Sequence, residues 1–335
     1  MMTNRASAPA RTAPLHRARD TALMAGLLLL VVAGLGALAA ATGWAETRAQ
    51  MMRLGLAQIG VLLALSLVNY LMRGLRWHLF ARRLGLPANL WRDLRHFLGG
   101  LVMSVTPGRV GEMVRIRWLR RETGMPLERC APLFLMDRAA DLVAMAVILA
   151  AAIALSTSGI AGAAPVAAIA FATAILATRA RLLGALATLA YRTLGRWPRL
   201  FGRLRGIARM LGQAGRSGAI AGAVALGVAG WLAEGYAFYL LLAWLGAETG
   251  FWTATAIFVF ATLAGGLTGA PGGLGGAEAA MIALLTLEGL PPETSIAATA
   301  IIRVTTLWFA IAVGAAVFPF AERLAGRTRH AMEDL

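Results

Sequence analysis

Apolar residues run along this chain in blocks of about twenty, the length of one membrane-crossing helix, and basic or Gly/Pro-rich stretches separate them. The blocks at 21–42, 54–72, 130–156, 162–178, 218–245 and 296–320 predict six full crossings. The first is too long for the apolar core of a signal peptide, so it is read as a retained span. Two further apolar pieces break in the middle. The piece at 97–106 stops at Pro107-Gly108, and 251–290 is interrupted at Gly269-Ala270-Pro271-Gly272-Gly273. Each predicts a re-entrant hairpin of broken helix, with an amphipathic surface helix as the alternative for the first. The expected fold class is an all-α polytopic membrane protein.

Composition supports this reading. Of 335 residues, 59% are hydrophobic and 14% charged, and the mean hydropathy is +0.70. Soluble domains carry about a quarter charged residues. The basic residues number 32, all of them Arg, against 16 acids, for a formal charge of +16. Such an excess often marks nucleic-acid binding. Here the arginines fall between apolar blocks, where they read as cytoplasmic loop charge, and no nucleic-acid partner is expected. The single Cys130 excludes an intramolecular disulfide and a cysteine metal cluster.

Arginine placement sets the topology. The tail at 1–20, the stretch at 73–95 and the connector at 179–216 are all basic, whereas 246–295 has no Arg and carries Glu248, Glu278, Glu288 and Glu293. The positive-inside rule puts both termini in the cytoplasm, 73–95 in a cytoplasmic loop and both ends of the 251–290 region outside. Trp77 and Trp91 in that loop suit the headgroup level. One membrane domain at 21–320 is expected, with a cytoplasmic tail at 321–335, in a bacterial inner membrane.

The two breaks resemble each other. One reads Thr106-Pro107-Gly108-Arg109-Val110-Gly111-Glu112 and the other Ala270-Pro271-Gly272-Gly273-Leu274-Gly275-Gly276-Ala277-Glu278. Each is followed by Gly-x-Pro, at Gly124 and Gly289, and 14 residues after that glycine comes Arg138 or Arg303. The landmarks define repeats at about 97–156 and 252–320. The first would enter the membrane from inside and the second from outside. Inverted repeats of broken helices are a transporter architecture, with binding near the midplane. Unwound glycine backbone can approach a ligand, and freed amides can hold an anion.

An ionisable side chain inside a span is a functional-site hypothesis by default. Asp141 lies three residues from Arg138, on its helical face. Arg303 has no acid at that spacing, so its candidate partners are Glu234 and Glu278; the alternative is a purely structural pair. No P-loop occurs, and His16, His78, His96 and His330 lack metal-ligand spacing. Ser104 and Thr106 have no activating His or Asp nearby in sequence. Neither a metal nor a cofactor is expected, and the chain is not expected to be an enzyme.

The Thr-Pro-Gly-Arg-x-Gly-Glu segment, the Asp-Arg-x-x-Asp helix at 137–141 and the later Pro-Gly-Gly-x-Gly…Glu…Arg segment resemble the flippase-like membrane domain of lysylphosphatidylglycerol synthases, the multiple-peptide-resistance-factor family. The likeness runs from about Leu54 to the last span. It implies movement of lipids with anionic or modified headgroups between leaflets. The matched positions are Pro107, Gly108, Arg109, Gly111, Glu112, Arg138, Asp141, Pro271, Gly272, Gly273, Glu278 and Arg303, to which Glu234 is added as a membrane acid. The chain runs about 15 residues past its last span, so a stand-alone member without the aminoacyl-transfer domain is expected. Alternatives are a small-solute secondary transporter and a lipid-phosphate hydrolase or transferase, the latter using Glu112 and Glu278 as a paired acid and base. Partners would be anionic membrane lipids and a lipid-modifying enzyme or glycosyltransferase. The oligomeric state stays open, a dimer included.

Overall fold

The computed structural model describes residues 52–106, 111–155 and 219–333, together with Ala49 and Thr188. The first and fourth apolar blocks, the Pro107-Gly108-Arg109 break and the basic connector lie outside the described residues. Among the described residues all regular structure is helical.

Helix α1, Leu56–Arg83, starts where the Gln58 side chain accepts the Gly55 N–H at 2.7 Å, and it ends before Gly85, at φ +65°. The basic stretch from Arg73 was expected to be a loop. It is not one. No proline interrupts the helix before Pro87, and α1 carries Arg73 and Arg76 inward, where acids of another helix compensate their charge. Trp77, expected at the headgroup level, is fully buried, while Trp91 is 80% exposed.

The first repeat follows. Helix α2, Leu90–Gly100, is capped by the Asn89 side chain on the Arg92 N–H and tightens into a 3-10 turn at Leu101–Val105. Beyond the break, α3, Val114–Thr123, closes on left-handed Gly124, and α4, Leu127–Leu155, begins just past Pro126. Helix α5, Ala219–Trp244, leads to the second repeat, and α6, Phe251–Leu267, is its first arm. A break with a 3-10 turn at Pro271–Gly273 separates it from α7, Gly276–Leu287. Left-handed Gly289 and Pro291 then precede α8, Pro292–Arg303. A π-helical turn at Val304–Trp308 passes directly into α9, Phe309–Glu333.

The second repeat therefore reads helix, break, helix, left-handed glycine, proline, helix, and the described residues on either side of 107–110 give the same order of helices, glycine and proline in the first. Arg138 and Arg303 each stand at the twelfth position of the helix that follows, counted from Leu127 and from Pro292. The sequence landmarks are landmarks of structure.

Among the described residues, three helical stretches are long and apolar enough to cross a membrane: Leu56–Arg83, Ala221–Trp244 and Pro292–Gly326. Helix α5 packs chiefly on α1 and also on α4 and α6, while α9 packs on the first repeat. One apolar core joins residues of α4 to α8, and a second joins α1 to α4.

At the closest crossing, a Cβ on Gly314 of α9 would lie 2.2 Å from the Val102 backbone nitrogen. Backbone cannot swing aside as a side chain can. Gly314→Ala is expected to cost about 1–3 kcal/mol through overpacking. A thermal melt in detergent should show a lower midpoint; an unchanged midpoint would mean α9 sits further from the first hairpin.

Candidate functional site

Where α1, α3 and α4 meet, four arginines and three carboxylates share one cluster, buried except for Arg138, whose side chain is 24% exposed. Arg73 Nη2 donates to Asp141 Oδ2 at 2.7 Å. Arg76 donates through Nε and Nη2 to Asp137 Oδ1, at 2.9 and 2.6 Å, and its Nη1 lies 2.8 Å from Asp141 Oδ1. Arg138 Nη2 donates to Asp137 Oδ2 at 2.9 Å and lies 3.4 Å from both Asp141 Oδ2 and Glu112 Oε2. Arg115 Nη2 is 3.1 Å from Glu112 Oε2.

Aromatic faces complete the shell. The Arg115 guanidinium carbon sits 4.2 Å from the Phe97 ring centroid, and that of Arg73 sits 5.3 Å from the Trp231 ring centroid. The Trp231 Nε1–H donates to Asp141, and the Ser104 hydroxyl donates to Glu112. Each buried charge loses water, and only paired, hydrogen-bonded geometry offsets that loss. Pairing here spans residues 68 apart in Arg73–Asp141 and 61 apart in Arg76–Asp137.

The second repeat holds a smaller centre. Arg303 Nε donates to Glu278 Oε1 at 2.6 Å, and its Nη2 donates to the Gly272 carbonyl at 2.9 Å. The guanidinium thus ties the helix α8 to the break itself. Gly272 and Gly273 are left-handed there, at φ +62° and +68°, and a Cβ on Gly273 would stand 3.0 Å from the Gly265 carbonyl carbon. Just past Arg303, the π turn offers its Thr306 carbonyl to the Tyr70 hydroxyl of α1. Such bulges recur at functional sites.

A cavity of about 50 Å³ separates the two centres, and Tyr70, Arg73, Glu112, Glu234, Arg303 and Thr306 are among its walls. A second cavity, of about 680 Å³, opens at the end of the bundle where α5 meets α6 and α7 meets α8; Glu248, Trp252, Thr253, Glu288 and Thr294 line it.

Of the residues singled out in the sequence, Glu112, Arg138 and Asp141 meet in the first centre, and Gly272, Glu278 and Arg303 in the second. Glu234 faces the cavity between them, and the partner of Arg303 is Glu278. Gly111 gives its N–H to the Thr106 hydroxyl, and Pro271 opens the 3-10 turn of the second break. Pro107, Gly108 and Arg109 are outside the described residues. Glu112 and Glu278 each face an arginine of their own repeat.

Sequence reading missed Tyr70, Arg73, Arg76, Arg115, Asp137 and Trp231. A signal for part of this was present: Ser66, Asn69, Tyr70, Arg73 and Arg76 fall at i, i+3, i+4, i+7 and i+10 and make one polar stripe on α1. His96, which lacks metal-ligand spacing, is buried at 3.1 Å from Glu122, which also accepts from Arg95. Burial raises the Glu122 carboxyl, but His96 and Arg95 outweigh it and hold the group below the usual carboxylate range.

The profile described as the lysylphosphatidylglycerol synthase TM region matches residues 23–314. The chain belongs to that family. Two relatives, both UPF0104 membrane proteins of Methanothermobacter thermautotrophicus, are 32% and 33% identical to it over 90 residues. Each alignment covers 27% of this chain and 27% of the relative, so the match spans about a quarter of the relatives' length. Membership of the family, with helices apolar enough to cross, makes this an integral membrane protein.

Proposed function

We propose that the chain is a lipid translocase that carries an anionic or modified-headgroup lipid between the leaflets of the inner membrane. Both termini are cytoplasmic in this reading, and the larger cavity faces outside, because the described arginines cluster away from the 246–295 end. The observation that carries the reading is the buried polar centre between the two repeats. Arg73 of α1, Glu112 of the first repeat and Arg303 of the second line one cavity, and carboxylates balance the two arginines while no lipid is bound.

A lipid phosphate cannot cross hydrocarbon bare, since a charge at the bilayer centre costs several kcal/mol or more. Guanidinium forks supply a substitute for its water, and the acids keep the empty centre from being an uncompensated cationic pocket. The test is reconstitution into phosphatidylethanolamine–phosphatidylglycerol vesicles with fluorescent phosphatidylglycerol and quenching from outside. Vesicles with protein should expose the inner-leaflet probe to the quencher, and empty vesicles should not. Equal protection in both, with and without a pH gradient, would refute translocation.

A further inference from the structure

Helices α5, α6 and α8 each run from the larger cavity to the central one. Leu245, Phe251 and Thr294 line the former, while Glu234, Phe258 and Arg303 line the latter. Between them lie the hydroxyls of Thr255, Ser295 and Thr299. All three residues are fully buried, and none of the hydroxyls has a hydrogen-bond partner among the described residues. A buried hydroxyl without a protein partner costs free energy unless water meets it.

Their placement is ordered. Ser295, Thr299 and Arg303 follow one another at four-residue intervals, so they share a face of α8. Thr255 faces α5: a Cβ on Gly235, next to Glu234, would lie 2.8 Å from the Thr255 hydroxyl oxygen. From Thr294 to Arg303 the helix rises about 13.5 Å, and Ser295 and Thr299 are separated by a rise of about 6 Å along its axis. That gap is too long for a direct hydrogen bond and suits one bridging water. The line ends at Glu278, whose Oε1 is taken by Arg303 and whose buried Oε2 has no partner among the described residues.

We propose that this line is a proton path from the outer cavity to Glu278, and that protonation of Glu278 is what admits the anionic headgroup. It rests on the translocase reading. The charges facing Glu278 and its cavity are Arg303 on α8, Glu234 on α5, Tyr70 and Arg73 on α1, and Glu112 before α3; α6, which packs on α7, carries no ionisable residue. Together with the first centre, five arginines (73, 76, 115, 138 and 303) stand against five carboxylates (112, 137, 141, 234 and 278). One proton on Glu278 Oε2 leaves one positive charge in excess, the charge that one phosphate brings, and it loosens Arg303 to turn toward the cavity. The proton leaves to the cytoplasmic side after the lipid has crossed. No bond other than O–H forms or breaks.

The full chain in phosphatidylethanolamine–phosphatidylglycerol vesicles, with a pH dye enclosed and fluorescent phosphatidylglycerol as probe, tests this. Lowering the outer pH by one unit should speed lipid exchange by up to roughly tenfold, with proton uptake alongside, because a step first order in protons follows their activity. Thr299→Val, which keeps the shape and removes the hydroxyl, should abolish both the acceleration and the uptake, and Thr299→Ser should restore them. Ser295→Ala probes the same path one turn nearer the outer cavity. Wild-type exchange without a pH response or proton uptake overturns the path and leaves the translocase. Thr299→Val keeping both overturns the path as well. Proton uptake without lipid exchange overturns the translocase and the coupling of the proton to the headgroup, and the absence of both overturns the two together.

Discussion

Arg303→Lys should slow lipid exchange by roughly ten- to a hundredfold although the charge is kept. The guanidinium makes two bonds in different directions, Nε to Glu278 and Nη2 to the Gly272 carbonyl, and so joins α8 to the second break. An ammonium is a point donor on a flexible stem and cannot hold both while also facing a phosphate. One lost charge-assisted hydrogen bond is worth about 1.5–3 kcal/mol, and each 1.36 kcal/mol is tenfold in rate. The check is the exchange rate in vesicles, with a melt to confirm that the variant folds. Normal exchange in Arg303→Gln would remove this residue from the transport site.

Arg76→Met should be the most damaging change to stability, at about 3–5 kcal/mol, the usual cost of leaving a buried charge without its partner. Arg76 is fully buried and serves Asp137 through two nitrogens and Asp141 through a third. Methionine fills much of the volume, so the loss is electrostatic more than steric. Arg76→Met combined with Asp137→Leu restores the charge balance and should recover part of the melting temperature. Recovery stays partial because Asp137 also receives Arg138. A single variant as stable as the wild type would show that the pair does not form.

How the sequence disclosed some of this and hid the rest follows from the physics of the two centres. The Arg303–Glu278 pair was legible because both groups sit in apolar segments with few acids to choose from, and the Gly-x-Pro landmarks put Arg138 and Arg303 in register. Arg73 and Arg76 were hidden because the positive-inside rule counts an arginine at the end of an apolar run as loop charge. The rule does not see a carboxylate more than sixty residues away, and such carboxylates, Asp137 and Asp141, draw these arginines into the bundle. Trp77 was misplaced for the same reason: once α1 continues inward, its indole lies in the core beneath Arg115. The hydroxyl line from Ser295 to Thr299 reads as ordinary small polar residues until the two cavities are seen at its ends.

Photocrosslinking with phosphatidylglycerol that carries its reactive group on the headgroup, followed by peptide mapping, asks most directly whether the lipid phosphate passes between the two repeats. The expected adducts fall around the central cavity, on Tyr70, Glu234 and Thr306, and Arg303→Lys weakens them. Adducts confined to exposed positions such as Leu56 and Leu267, with the cavity residues unlabelled in active vesicles, would contradict a headgroup route through the paired centres.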